Sequence, residues 1–438
     1  MFDLPKFGDG ICLARMAELL ERLCIDRAKL QERSLAITGS NGKGSTAAFC
    51  AAIGHAFGLR TGLFTSPHLF HVNERFQIDG VPISDHELDE LTDRIATAIR
   101  AVSDKRGERF GAFEAMFALA CLYFEERDCE FVVFEAGIGG RYDPVRLVGS
   151  YITTVTSVDY EHVELLGNSL ELIVSDKSDA CAAGGTIIYG ENCRALRPHL
   201  MEYNRNRKVE SLFVRDEIRI GGESVATDRQ RFDFAFGAHD FRAMEVALAG
   251  SFQLNNAAIA AALFLRWTER ARPGEPAVGI ESAVRKGLRE ARWPGRLEVI
   301  SQDPFIVIDV GHTPDGIRQA LASLQQIYGK QNWILVAGVS FDKNTAEVAA
   351  ALAMEFDTII CTAAHHKGGD PAALAATMRR INPEAHVEIA ATIEQAFSAS
   401  KALAQSRHSR IYVAGGLFTA IEFAALVRGL EATTLSFL

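Results

Sequence analysis

Residues Ala36-Ile37-Thr38-Gly39-Ser40-Asn41-Gly42-Lys43-Gly44-Ser45-Thr46 form a glycine-rich turn, and this turn is the strongest local signal of the fold. It follows a predicted β-strand, Ser34 to Thr38, and opens a predicted helix, Ser45 to Phe57. Glycines let the backbone turn with its N–H groups facing inward, while the helix N-terminus and the Lys43 ammonium supply positive charge. We therefore predict that nucleotide phosphates bind here, and that the residues involved are Gly39, Asn41, Gly42, Lys43, Gly44, Ser45 and Thr46.

This turn departs from the common phosphate-loop pattern G-x-x-x-x-G-K-[ST] at two positions. Ile37 stands where the first glycine belongs, and Gly44 stands where the hydroxyl-bearing residue belongs. The combination of strand, Gly-Lys pair, hydroxyls and helix still favours nucleotide binding over a glycine turn of chance origin. An ordinary kinase or GTPase is disfavoured by the two departures.

Outward from this turn, short apolar runs alternate with longer helical patterns, which is typical of βαβ units around a parallel sheet. The chain has 438 residues, more than the roughly 250 to 300 at which one hydrophobic core stops growing. A break at Ala291 to Arg296 predicts two domains, 1–293 and 294–438. We expect an α/β fold with an N-terminal P-loop ATPase-type domain around a mostly parallel sheet. A smaller, Rossmann-like α/β domain follows it.

Individual elements are predicted from the same patterns. The clearest strands are Ser34 to Thr38, Phe131 to Glu135, Tyr151 to Ser157, Phe305 to Asp309, Trp333 to Ala337, Thr358 to Thr362 and Ile411 to Val413. The clearest helices are Arg15 to Leu23, Ser45 to Phe57, Asp85 to Val102, Phe113 to Glu126, Asn256 to Trp267 and Ile317 to Ile327. Between Val209 and Arg242, short charged alternations broken by Gly221 and Gly222 predict a β-hairpin insertion.

Composition narrows the range of partners. The net charge of -10 argues against a nonspecific grip on nucleic acid or an anionic membrane surface. The eight cysteines include no CxxC pair, so neither a disulfide framework nor a zinc site is indicated. The start, MFDLPKFGDG, lacks the build of a signal peptide, and no run approaches the ~20 apolar residues of a membrane span. We expect a cytoplasmic monomer that acts on small molecules.

Further motifs follow the glycine-rich turn in a fixed order. They are Thr65–Leu69, Asn73–Phe76, Phe113-Glu114, Glu135–Asp143, Glu161-His162, Asp176-Lys177, Phe252–Ala257, Pro294–Leu297 and Asp309–Pro314. Together with the string TGSNGKGST, they resemble the folylpolyglutamate and dihydrofolate synthase branch of the Mur ligase superfamily, over nearly the whole chain. The resemblance implies that ATP phosphorylates an acceptor carboxylate and that an amine attacks the acyl phosphate. The tetrahedral intermediate then collapses to an amide.

The resemblance also implies roles for individual residues around ATP. Lys43 would bind phosphate, Ser45 and Glu135 would hold one Mg²⁺, and His162 with a carbamylated Lys177 would hold a second. The residues expected to catalyse are Lys43, His162 and Lys177. Further ATP contacts are expected from Gln253, Asn256, Arg296, Asp309 and His312. Without the resemblance, Lys177 would be read as a surface lysine and Glu135 as a solvated strand end.

Two more groups are assigned to the other substrates. The acceptor group is Ser66, Pro67, His68, Glu74, Arg75 and Phe113, of which the phenylalanine is suited to stack on a flat ring. Asp342 and Lys343, after a predicted strand, resemble the family's DK pair beside the amino-acid pocket, although ordinary turn chemistry explains them equally well. The amino acid implied is L-glutamate. Closure of the two domains is expected to exclude water from the acyl phosphate.

Several family positions are altered in this chain. Thr313 replaces the asparagine of the family's DGAHNP motif, and Asp176–Ala180 stand where the family has EKAGI. Phe252-Gln253 stand where the family has HQ, and the asparagine that follows the family's GGRLDAT is missing from 142–146. This pattern fits glutamate addition to a folate or pterin-like carboxylate, and it also fits a paralogous ligase with another small carboxylate acceptor. A P-loop phosphotransferase leaves the second domain unexplained. A regulatory protein that only binds nucleotide needs no second metal site.

Overall fold

The computed structural model describes residues 4–5, 8–10, 12–226 and 229–437. Its strands are β1 (Ser34–Thr38), β2 (Thr61–Phe64), β3 (Phe76–Ile78), β4 (Val81–Pro82), β5 (Phe131–Glu135), β6 (Ile152–Val155), β7 (Thr186–Tyr189), β8 (Glu210–Phe213), β9 (Ile218–Val225), β10 (Gln230–Phe236), β11 (His239–Val246), β12 (Glu298–Gln302), β13 (Phe305–Ile308), β14 (Trp333–Ala337), β15 (Thr358–Cys361), β16 (His386–Ile389) and β17 (Arg410–Ala414). They form three sheets, and helices flank them, so the expected α/β fold is confirmed.

The helices connect and cover these strands. They are α1 (Leu13–Arg22), α2 (Arg27–Arg33), α3 (Lys43–Ala56), α4 (Asp85–Arg106), α5 (Ala112–Glu126), α6 (Val163–Leu166), α7 (Leu170–Ser178), α8 (Arg197–Arg207), α9 (Phe252–Ala271), α10 (Ala277–Glu290), α11 (Pro314–Tyr328), α12 (Thr345–Leu352), α13 (Pro371–Ile381), α14 (Ile393–Arg407) and α15 (Leu417–Val427). In the part of the chain that the structure describes, no helix is both long enough and apolar enough to span a membrane.

The first sheet has eight strands in the order β4-β3-β2-β5-β1-β6-β7-β8. Its centre is parallel, and every residue of β1 and β5 is buried, because helices cover both faces. In register, Ile37 lies opposite Glu135, and Thr38 lies opposite Val155. The carboxyl ends of β5, β1 and β6 therefore lie side by side, and the glycine-rich turn leaves from the middle one.

The β-hairpin predicted between Val209 and Arg242 is present, because β9 and β10 pair as antiparallel neighbours, but the prediction did not include β8 or the third strand β11. The segment begins with β8, which pairs in parallel with β7 at the edge of the first sheet. The remainder forms a separate antiparallel sheet of three strands, β11-β10-β9, whose last strand runs on to Val246. Its apolar side chains, including Phe232, Phe234 and Met244, are buried in the core that surrounds α9. The insertion is thus part of the first lobe's main core.

The third sheet has six strands in the order β12-β13-β17-β14-β15-β16, and β12 alone among them runs antiparallel to its neighbour. All of its strands lie at or after Glu298, whereas every strand of the first two sheets ends by Val246. We call residues up to 293 the first lobe and residues from 294 onward the second lobe, and we propose this division as the domain boundary. Helices α9 and α10 pack against α3, and they fix the helix that the glycine-rich turn opens.

Candidate active site

The glycine-rich turn is held in place by the end of the neighbouring strand. The hydroxyls of Thr156 and Ser157 donate to the Asn41 carbonyl oxygen at 2.6 and 3.0 Å. The Asn41 N–H donates to the Ser157 hydroxyl at 2.8 Å. These bonds fix the backbone of the turn from the side of β6. The first turn of α3 is left free to meet a ligand.

Three glycines of the turn occupy positions where a side chain does not fit. Gly39 and Gly42 have φ values of 136° and 86°, and a Cβ on either would approach Thr156 Oγ1 to 2.0 Å or Asn256 Oδ1 to 2.6 Å. A Cβ on Gly44 would lie 2.6 Å from the Trp293 ring. The indole of Trp293, at the junction of the lobes, therefore explains why glycine replaces the usual hydroxyl-bearing residue here.

The polar side chains of the turn face inward. Lys43 Nζ donates to the Gly39 carbonyl oxygen at 2.7 Å and curls over the loop. Gln253 of α9 donates to the Ser45 hydroxyl at 3.2 Å, and Asn256 donates to Gln253 at 2.9 Å. Among the described residues, the buried Thr46 hydroxyl has no hydrogen-bond partner. The predicted group from α9 thus contacts the turn through Ser45.

Glu135 ends β5 beside the turn and is only 4% exposed. Its carboxylate accepts from the Ser66 N–H at 3.1 Å. Burial raises the pKa of Glu135 to about 7, although the charges of Lys43, Arg296 and Arg75 oppose the rise. A buried carboxylate with unused lone pairs, next to a hydroxyl and a phosphate-binding turn, fits a hard cation such as Mg²⁺.

A second polar cluster joins the loop after β6 to α7. Lys177 Nζ lies 2.5 Å from Glu161 Oε1, and the lysine side chain is 2% exposed. Burial lowers the pKa of Lys177. Burial also acts to raise the pKa of Glu161, but the positive charges of Lys177 and Lys43 outweigh it and lower that pKa to about 2. His162 follows at the start of α6 with a φ of 47°. The two predicted residues His162 and Lys177 are therefore near each other, and the negative charge of Glu161 acts on both.

The described residues include no group of three or more histidine, cysteine, aspartate and glutamate side chains that could hold a metal ion by themselves. A cation in this site would therefore depend on a mixed set of ligands. Hydroxyl and carboxylate oxygens with phosphate are the ligands that Mg²⁺ takes in phosphate sites. A carbamate on Lys177 would place two anionic groups together at Glu161, and only a cation between them would make that arrangement stable. The donor chemistry of both clusters fits Mg²⁺.

The second lobe reaches the turn through the loop after β13. Thr313, which replaces the family asparagine, donates to Asn41 Oδ1 at 3.0 Å and also caps α11 by accepting from the Gly316 N–H. Asp309 is buried and accepts from the N–H groups of Leu297 and Gly311 at 3.1 and 2.8 Å. Its carboxylate therefore fixes the loop, and these backbone N–H groups already occupy it.

Arg296 and His312 lie on the same side of the second lobe. Among the described residues, the Arg296 side chain has no hydrogen-bond partner, and its charge acts on Glu135, Asp309 and His312. The His312 side chain is exposed. Desolvation by the protein atoms around it, together with the charges of Lys343 and Arg296, lowers its pKa.

The predicted amino-acid pair sits in an exposed loop after β14. Both Asp342 and Lys343 are exposed. Burial is the largest cause that lowers the pKa of His162 in the first lobe, and the charge of Lys343 lowers it further. The charge of Lys343 also acts to lower the pKa of His312 in the second lobe. The Lys343 ammonium is therefore near enough to both histidines for its charge to act on them, whereas the Asp342 side chain makes no hydrogen bond or ion pair within the described residues.

The predicted acceptor group divides into two kinds of residue. Glu74 accepts from the N–H groups of Leu69, Phe70 and His71, so its carboxylate holds the loop rather than facing the cleft. Phe113 is half-buried, packs on the Phe64 ring at 5.7 Å and lies beside the backbone of Gly137. Ser66 and Pro67 join this loop to Glu135 through the Ser66 N–H.

Some residues of the site were not found from the sequence. Thr156 and Ser157 are the last two residues of the predicted strand Tyr151 to Ser157, so the strand-end rule that was applied to Glu135 was a usable signal. Trp293 was assigned only to the domain break. Asp143 accepts from the N–H groups of Gly137, Ile138 and Val145, and burial raises its pKa to about 6. It fixes the glycine loop after Glu135, and no sequence signal distinguished it from a turn aspartate.

Comparison with known proteins agrees with this geometry. Residues 295–417 match the family described as Mur ligase, glutamate ligase domain. The chain is 30% identical over 343 residues to the dihydrofolate synthase/folylpolyglutamate synthase of Bacillus subtilis, with 77% of each chain covered. It is 31% identical over 360 residues to the folylpolyglutamate synthase of Lacticaseibacillus casei, with 81% of each covered.

A solved complex of folylpolyglutamate synthase with AMPPCP and folate has a TM-score of 0.76 at 27% identity, covering 92% of this chain and 97% of that one. The shared fold thus extends over both lobes. The chain therefore belongs to the folylpolyglutamate synthase/dihydrofolate synthase family of Mur ligases, and it is an ATP-dependent ligase that forms amide bonds.

Proposed function

We propose that this ligase joins L-glutamate to a folate or pterin-like carboxylate through an acyl phosphate. One observation carries the proposal: the buried Glu135 beside the phosphate turn accepts from the Ser66 N–H of the acceptor loop, and cations from three parts of the protein act on it. Lys43 comes from the phosphate turn, Arg75 from the acceptor loop and Arg296 from the second lobe. The site is therefore suited to bring a triphosphate and a carboxylate together, and such proximity with charge neutralisation supplies most of the rate in phosphoryl transfer.

The nucleotide is proposed to bind at Gly39, Asn41, Gly42, Lys43, Gly44, Ser45 and Thr46, as ATP analogues support for the family. Lys43, which now donates to the Gly39 carbonyl oxygen, would turn to the phosphates. Gln253 and Asn256 orient the Ser45 hydroxyl. Arg296 and His312 approach from the second lobe, and Asp309 holds their loop. An arginine without a protein partner is suited to phosphate, since its fork donates paired hydrogen bonds.

Two magnesium ions are proposed, held by Ser45 and Glu135, and by His162 with a carbamylated Lys177. When bound, they would neutralise phosphate charge. The buried amine of Lys177 has the lowered pKa that reaction with CO₂ requires, because only a neutral amine attacks CO₂. Glu161 holds Lys177 in place before that reaction.

The other two substrates are proposed to enter from opposite sides of the cleft. Phe113, Ser66, Pro67 and Arg75 would line the acceptor side, with Glu74 supporting the loop. Asp342 and Lys343 would take glutamate, and the Lys343 ammonium supplies a counter-charge for a carboxylate beside both histidines. We propose a cytoplasmic monomer without nucleic acid or membrane partners, in keeping with the net charge of -10.

The experiment is a screen for phosphate release with Mg²⁺ and ATP, against paired panels of pteroate or folate acceptors and amino acids. Mass spectrometry then identifies each product. We expect phosphate release only when acceptor and glutamate are both present, with a product heavier by one glutamyl group. Release with other carboxylates but none with folates would favour the paralogous ligase. Release that never needs an amine would favour a phosphotransferase.

A further inference from the structure

His68, which the sequence assigned to the acceptor, has both ring nitrogens occupied by protein. Arg75 Nε donates to His68 Nδ1 at 2.9 Å. Because that nitrogen accepts, the hydrogen of the neutral ring lies on Nε2, which donates to the Ser436 carbonyl oxygen at 2.6 Å. The imidazole is 3% exposed. It therefore has no free nitrogen for a substrate.

Two neighbours of His68, Ser436 and Phe437, belong to the second lobe. The Phe437 ring lies parallel to the imidazole, with ring centroids 6.1 Å apart. On its other sides Phe437 contacts Phe418 of α15 at 4.8 Å and His366 at 5.0 Å. We call Ser436, Phe437 and His68 the latch. Through it, a loop of the first lobe is attached to the second.

Other contacts reinforce this attachment. Leu69 and Phe70, next to His68, pack against the core of the second lobe. The Arg428 guanidinium lies over the Phe70 ring, 4.1 Å from its centroid. The acceptor loop is thus docked on the second lobe over several residues, and His68 is the member of this contact that also reaches Arg75.

Arg75 is only 4% exposed, yet its two terminal amino groups have no hydrogen-bond partner among the described residues. Burial lowers the pKa of Arg75 to about 10, although the negative charges of Glu135 and Glu74 act to raise it. These amino groups are not among the fully enclosed atoms that lack a partner, so an anion that enters the site can reach them and accept their paired hydrogen bonds. The proposed function brings such an anion to this place, namely the reacting carboxylate of the acceptor.

We propose that His68 is a positioning residue: through it, Ser436 and Phe437 fix the Arg75 guanidinium in the orientation that binds the acceptor carboxylate. This inference rests on the proposed function. His68 anchors Arg75 Nε, and the two terminal amino groups are left without a protein partner among the described residues. The second lobe thereby determines the affinity for acceptor, although its latch residues never touch the acceptor.

The test is steady-state kinetics of Phe437→Ala, with KM measured separately for acceptor, ATP and glutamate. Phe397→Ala is the control, since it removes another half-buried phenylalanine of the second lobe that packs on Phe423. We expect the KM for acceptor to rise about ten- to a hundredfold in Phe437→Ala, the effect of misaligning a hydrogen bond to a charged group. The KM for ATP and all constants of the control should stay within about twofold of wild type.

Two variants of His68 separate the halves of the latch. Asparagine can accept from Arg75 in place of Nδ1, and glutamine can donate to Ser436 in place of Nε2. We expect each variant to raise the acceptor KM by itself and Phe437→Ala to add nothing in either background, because each replacement breaks the path from Phe437 to Arg75.

Unchanged acceptor KM in Phe437→Ala, or an equal rise for all three substrates, would overturn the inference. Both of these outcomes can be measured only if the wild-type protein forms the amide. Failure of the proposed function would be recognised separately, because the wild type would then form no glutamylated product at all.

Discussion

The packing of α10 against α3 gives the most directly calculable prediction, the substitution Gly287→Ala. An added Cβ would lie 2.5 Å from Ile53 Cα and 2.6 Å from Ile53 N, about 1 Å inside ordinary carbon contact. These are backbone atoms of α3, so no rotamer change relieves the overlap and the two helices must separate. Overpacking of this kind costs about 1 to 3 kcal/mol, against a gain of about 0.5 to 1 kcal/mol from replacing a helical glycine. We expect a net loss of about 1 to 2 kcal/mol in the free energy of unfolding.

Gly279 offers a matched control in the same helix, because it is exposed and the nearest atom to its Cβ would be Glu275 Oε1 at 4.0 Å. Gly279→Ala should stabilise by up to about 1 kcal/mol. The assay is urea unfolding followed by circular dichroism, with ADP binding by calorimetry. Since α3 begins at Lys43, its displacement should also weaken ADP binding in Gly287→Ala alone. Equal stability of the two variants would refute the packing argument.

Two further predictions concern charges of the site. Lys43→Ala should abolish turnover and leave urea unfolding unchanged, because it removes the ammonium that would face phosphate; near-normal rates would exclude the turn from the mechanism. In CO₂-depleted buffer, Glu161→Gln should lower the free energy of unfolding by about 3 kcal/mol. The pKa of Glu161 is lowered from 4.5 to about 2, and each pKa unit corresponds to about 1.36 kcal/mol. Glu281→Gln, in an exposed pair with Arg285, should cost under about 0.5 kcal/mol. Because the pKa of Glu161 is lowered on folding, its contribution should be complete above pH 4.5 and disappear as the pH falls towards 2. A loss no larger than that of the control would contradict the buried ion pair.

Strands that are buried on both faces were predicted well from the sequence. The bounds of β1, β5 and β14 agree with the predicted runs residue for residue, since each is a run of five buried positions bounded by turn residues. The shorter β2 was missed, because it has four residues and includes Gly62, whose missing side chain admits the Phe124 ring. A short run with glycine gives no periodic signal.

The hairpin prediction was incomplete for a different reason. It included β8 in the same insertion as β9 and β10, which do pair as antiparallel neighbours. What separates β8 is its parallel pairing with β7, which lies about twenty residues earlier and was itself not predicted. Parallel pairing depends on distant partners, so local pattern does not reveal it.

For the site, the glycine-rich turn led to Lys43 and the family resemblance led to Glu135 and Lys177, and in the structure the charge of Lys43 acts on both of them. Sequence reasoning did not reveal which polar groups the protein itself uses. Glu74 is bound by three nearby N–H groups, and His68 is bound by Ser436, more than 360 residues away. Such contacts are set by tertiary packing, and no spacing rule encodes them.

The most direct test of an acyl phosphate follows oxygen atoms from the acceptor. The acceptor carboxylate is labelled with ¹⁸O, and the protein is supplied with ATP, Mg²⁺ and glutamate. If the carboxylate attacks the γ-phosphorus and nitrogen then displaces phosphate, the released phosphate carries one labelled oxygen for every amide formed, and the amide keeps the other. Released phosphate without label, alongside amide product, would contradict the activation of the acceptor by ATP.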